Sequence, residues 1–233
     1  VLEGDVLTSV VDRFGIRRMS GPICLATPEA RQALVTLFTQ IAERAGYDGL
    51  MFHTYAEEFD TRFDDEFGFN PTIVKDYKEL TGIDVFANDV PYDEHAMAHL
   101  RGTYLSALIK ELGQALHAKG IKLGLMLDSV TPWYPQKWGL QDMRVTGRIV
   151  VDWQQVAREG WVDRLWVNYN GPQHETVNAV LADTKGLPVQ LTMMHSDHYP
   201  PAYQHFRQRN VERVIPGAYD HLHWGYLEKQ PVS

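Results

Sequence analysis

The sequence predicts an α/β fold, a (β/α)8 barrel of the TIM type that lacks its N-terminal strands in this chain. Three observations predict it. Short apolar runs at 48–55, 122–128, 164–169, 189–195 and 213–219, with a weaker sixth at 21–26, alternate with longer segments of helical periodicity. Within those runs apolar residues show little polar alternation, as in parallel strands covered on both faces. Polar and aromatic residues gather where the runs end, the place where barrels of this type build their sites.

Taken in order, residues 1–20 offer a turn at 12–15 but no second complete βα unit. The weak strand at 21–26 leads to a helix over 28–45, with Thr27 as cap and Pro28 in the first turn. Its expected apolar face is Ala30, Leu34, Leu37, Phe38, Ile41 and Ala45. After the strand at 48–55 comes an acidic loop containing Asp60, Asp64 and Asp65. No glycine stands at the turn position of an EF-hand, so this loop reads as a solvated face, which Arg101 could pair with if it does not simply face water. Asn70 and Pro71 then start a short helix capped by Asn70. A long helix over 94–118 places Met97, Leu100, Tyr104, Leu108, Leu112 and Leu116 on one stripe, with Gly120 as its terminator. The strand at 122–128 follows. Asp152 caps a helix at 153–159 before the strand at 164–169, and further helices fit 173–182 and 201–208.

A closed barrel needs eight strands and about 250 residues. The deficit here falls at the N-terminal end, so residues 1–233 read as one barrel domain, the C-terminal part of a complete barrel.

Composition narrows the function classes. With 44% hydrophobic and 22% charged residues the chain has a globular profile. A net charge of −8 argues against a phosphate-backbone partner, so nucleic acid is excluded as an expected partner. The longest apolar runs fall far short of the roughly 20 residues that span a bilayer, so no membrane partner is expected either. Cys24, the lone cysteine, allows no intrachain disulfide and reads as a small buried hydrophobe.

Four segments in order carry a family resemblance. "TPEARQALVTLFTQIAERAGYDGLMF" (27–52) resembles a Pro-Glu-x-x-Arg helix followed by an Asp-Gly strand; "FGFNPTIVKDYKELTGIDV" (67–85) and "LRGTYLSALIKEL" (100–112) resemble the insertion and helix after it. "VDWQQVAREGWVDRLWVNYN" (151–170) resembles an Asp-Trp segment leading to a strand with a terminal Tyr. Together these are similar to the glycosyl-hydrolase-like family-10 barrel proteins. The resemblance implies a glycosidase of poly- or oligosaccharide, secreted or periplasmic, with the strand at 48–55 as the fourth of the barrel and that at 213–219 as the eighth. The chain departs from the pattern at His53, where many relatives end the fourth strand with an acid.

The strand-end rule selects His53, Glu57 and Glu58, then Asp128, then Asn168 and Tyr169, then His195, Asp197 and His198, and finally Tyr219, Asp220 and His221. Glycoside hydrolysis takes two carboxyl groups, one acid and one nucleophile or base. Glu58 and Asp128, on adjacent strands, are the first pair: Glu58 as general acid/base, Asp128 as nucleophile or water-activating base, with Asp197 or Asp220 as substitutes. Sugar rings also stack on flat apolar faces, for which Trp133 and Tyr134 after Asp128, with Trp224, join the substrate-binding set of His53, Glu57, Asn168, Tyr169, His195, His198, Tyr219 and His221. Trp153, Trp161 and Trp166 hold helix or strand positions, where packing is the expected role. No cofactor is called for. One rival is a metal-dependent hydrolase using strand-end histidines with Asp128 and Asp220, although their spacing fits no metal motif. Another is a carbohydrate-binding barrel without catalysis.

Overall fold

The computed structural model describes residues 9–11, 18–53, 68–87, 92–128, 149–169, 182–195 and 213–216. Strand β1 (Ser9–Val11) pairs antiparallel with β2 (Arg18–Ile23) in a two-stranded sheet of their own. This corrects the expected strand at 21–26. The strand ends at Ile23 because Cys24 to Thr27 turn back, the Thr27 N–H donating to the Cys24 carbonyl at 3.2 Å, to start helix α1 (Pro28–Ala45).

Then follow β3 (Gly49–His53), α2 (Pro71–Thr81), α3 (Glu94–His117), β4 (Lys122–Asp128), α4 (Trp153–Arg158), β5 (Arg164–Tyr169), β6 (Gln190–His195) and β7 (Arg213–Pro216). The predicted strands at 122–128 and 164–169 form residue for residue, that at 189–195 begins one residue later, and those at 48–55 and 213–219 form over 49–53 and 213–216, with 54–55 and 217–219 outside the described residues. Strands β3 to β7 make one parallel sheet in chain order. Among the described strands the order does not reverse. The turn at 12–15, the acidic loop with Asp60, Asp64 and Asp65, the helix at 201–208 and nearly all of that at 173–182 lie outside the described residues.

Helices α1, α3 and α4 pack on one face of the sheet. Leu123, Leu125, Leu165 and Leu191 supply the strand side of that core, and Leu108, Leu112, Leu116 and Trp153 much of the helix side. The expected α3 stripe holds, and the helix also buries Ala98, Leu105 and Ile109, giving a face wider than the stripe. Two glycines make that possible. A Cβ at Gly102 would lie 1.7 Å from the Val150 carbonyl oxygen, and one at Gly113 would lie 2.1 Å from that of Trp161, so both positions must lack a side chain for the chain around α4 to sit this close.

Helix α1 is rotated from the expected face. It buries Ala30, Val35, Thr39 and Ala42, with Leu34 and Phe38 part-buried, while Leu37 and Ile41 are 49% and 44% exposed. The reason is polar. Arg31 is drawn inward, donating from Nε to Glu111 at 3.0 Å and from Nη1 to the Leu25 carbonyl at 2.7 Å, and the buried stripe therefore runs through 31, 35, 38, 39 and 42.

Capping also differs in detail. Asp152 caps α4 as expected, accepting from Gln155 N at 2.9 Å. Thr27 and Asn70 hold the N-cap positions of α1 and α2 without a side-chain capping bond, and Thr27 instead hydrogen-bonds the Cys24 thiol. Asp93 caps α3, accepting from His95 N and Ala96 N. Helices α1, α3 and α4 each end with an N–H reaching back five residues, from Tyr47 to Ala42, Ile121 to Leu116 and Trp161 to Val156, and each then feeds a strand.

A second core lies under α2, where Cys24, Phe69, Ile73, Tyr77, Val85 and Met97 are buried together. Burial pushes the Cys24 thiol pKa up, as expected of a packed rather than a reactive cysteine. Arg101 does not face water. It is 5% exposed, donates to the Gly68 carbonyl at 3.3 Å, and lies 5.0 Å from the centre of the Phe69 ring. Its apolar stem and flat cation suit a wall made by an aromatic face.

Candidate functional site

The site is a matter of which residues the parallel register brings to one end and one face. Alternation puts successive residues on opposite faces of the sheet. Leu50, Phe52, Leu123, Leu125, Leu165 and Leu191 pack with the described helices, so positions of the other parity make a second face, turned away from that core. Across it the register aligns His53, Met126, Trp166, Thr192 and Arg213 in one row. The next row, at the C-terminal tips, contains Asp128, Asn168, Met194 and Ile215. Below both lie Met51, Gly124, Arg164 and Gln190, with Arg164 donating to Gln190 at 2.7 Å.

Of the predicted site residues, His53, Asp128, Asn168, Tyr169 and His195 fall within the described strands, all at C-terminal ends. Asp128 and Asn168 are register partners, and His53 partners Met126, two residues before Asp128. These three positions share the second face. Tyr169 and His195 are partners of each other but have the parity of Leu165 and Leu191, which places them at the rim of the opposite face. Glu57, Glu58, Trp133, Tyr134, Asp197, His198, Tyr219, Asp220, His221 and Trp224 lie outside the described residues.

Sequence reasoning passed over Trp166 and Thr192, which sit in the row of His53 with buried polar atoms. Their signal was strand parity: Trp166 alternates with Leu165, and Thr192 with Leu191. Reading the strands as apolar on both faces hid it.

The opposite end of the sheet is held by backbone bonds and one carboxylate. Asp163 Oδ2 accepts from Leu123 N and hydrogen-bonds His117 Nε2, both at 2.8 Å, while the Asp163 N–H and carbonyl bind Leu123 O and Gln190 N. That cluster ties the starts of β4, β5 and β6. Among the described residues no three His, Cys, Asp or Glu side chains gather as a metal site. Among them, too, no helix is long and apolar enough to cross a membrane.

No family model matches the chain, and no curated protein matches it in sequence. Among solved structures it is similar to the PgaB (BpsB) glycoside hydrolase domain from Bordetella bronchiseptica, with a TM-score of 0.55 and 14% identity. The chain shares its fold with a glycoside hydrolase domain. That likeness spans 98% of this chain and 67% of the other. At this identity it carries the arrangement of strands and helices, and no residue role is transferred with it.

Proposed function

We propose that this chain is a glycoside hydrolase of poly- or oligosaccharide, in the manner of the glycosyl-hydrolase-like family-10 proteins its motifs resemble, and that its parallel sheet belongs to a (β/α)8 barrel. The observation that carries the reading is the chain-ordered parallel sheet, in a fold shared with a glycoside hydrolase domain, whose strands end in His53, Asp128, Asn168, Tyr169 and His195. Adjacent parallel strands stand about 4.8 Å apart. The reading requires Asp128, at the tip of β4, and Glu58 to come within the roughly 5–10 Å that flanks a scissile glycosidic bond.

In this reading Glu58 protonates the leaving oxygen and Asp128 attacks the anomeric carbon or activates water, with Asp197 and Asp220 as alternative carboxylates. His53, Asn168 and the aromatics Trp133, Tyr134 and Trp224 hold the sugar, together with Glu57, Tyr169, His195, His198, Tyr219 and His221. A secreted or periplasmic location belongs to the same proposal.

The test is a screen of soluble oligosaccharides for cleavage, followed by Glu58→Gln and Asp128→Asn. Each substitution should lower kcat by at least about a thousandfold while leaving binding within a few fold, since it removes proton transfer or nucleophilic attack and keeps the shape. Full turnover by both variants would sink the assignment. Loss of activity on chelation, restored by a divalent ion, would favour the metal-dependent rival, and sugar binding with no product at any pH would favour the binding barrel.

A further inference from the structure

We draw no further inference here: the strongest candidate, the apolar patch that Leu37 and Ile41 expose on α1, the helix leading into the edge strand β3 of the described parallel sheet, carries none because nothing in the structure shows what covers it.

Discussion

At the scale of single residues, the most constrained polar contacts belong to the second core. Tyr104 donates to Asp76 at 2.5 Å, and its pKa is raised far above the ordinary tyrosine value, first by burial and then by the hydrogen bond to that carboxylate. The folded state therefore keeps the proton where the unfolded chain, with an ordinary tyrosine, releases it near pH 10. Below that pH the contribution is fully present; above it stability declines with rising pH, because the unfolded state binds fewer protons. Tyr104→Phe should cost about 1–2 kcal/mol at neutral pH, the worth of a hydrogen bond to a charged partner. It should also flatten the loss of stability between pH 10 and 12. Urea unfolding across that range checks both, and an unchanged alkaline slope would show that another group governs it. Arg101 teaches a related lesson. Its sequence neighbours on α3 gave no hint of burial, since only the fold brings Gly68 and Phe69 against it.

Among the elements, α3 decides most of the packing. Its glycines face the chain on either side of α4, and a methyl group at either position meets a backbone carbonyl that cannot swing away as a side chain could. Gly102→Ala and Gly113→Ala should each destabilise by about 2–3 kcal/mol, the upper part of the range for overpacking, although alanine is the better helix former by roughly 1 kcal/mol. Thermal unfolding of the two variants would settle it; a raised midpoint in either would mean that the neighbouring segment moves freely. Helix positions were legible because periodicity and terminators are local: α1 begins at Pro28 and ends at Ala45 as the pattern indicates. Its buried face was less so. Apolar spacing favoured Leu37 and Ile41, and the inward pull on Arg31 comes from Glu111 on a helix far along the chain. The hairpin β1–β2 was illegible for a similar reason, since its pairing is antiparallel and its register is irregular between Ser9 and Val10.

For the molecule as a whole, the parallel sheet divides labour between its two ends. Asp163 binds the starts of three strands, whereas His53, Asp128 and Asn168 stand at the opposite end, on the face turned away from the helical core. Asp163→Ala should lower stability by about 1–3 kcal/mol, by stranding the Leu123 N–H and the His117 ring. If the proposed function holds, sugar affinity of the folded variant should stay within about twofold, because the residue is a full strand length from the tips. Chemical denaturation together with a binding titration separates the two effects, and a large loss of affinity in a folded variant would refute the division. That β3, β4, β5 and β6 would carry polar residues at their ends was readable from the sequence, since their runs stopped at a cluster of His, Asp, Asn or Tyr. Which of them share a face was not, because a parallel register is set by pairing between strands distant in sequence, and only pairing reveals that Asp128 neighbours Asn168 while Tyr169 neighbours His195.

The chain-ordered sheet also bears on how the molecule assembles. Every described parallel pair joins strands that follow one another in sequence, so growth from one strand to the next needs no threading. The gaps are unequal, however. Gly49 must find Lys122 across α2 and α3, whereas Thr192 finds Arg213 after a short excursion. Closing the longer loop costs only about 1 kcal/mol more in chain entropy, because that cost grows with the logarithm of length. The docking of β3 onto β4 is therefore the least local event in building this sheet, and the rate-limiting step of refolding should be sensitive to substitutions in α3, the element that must already be in place to bridge it.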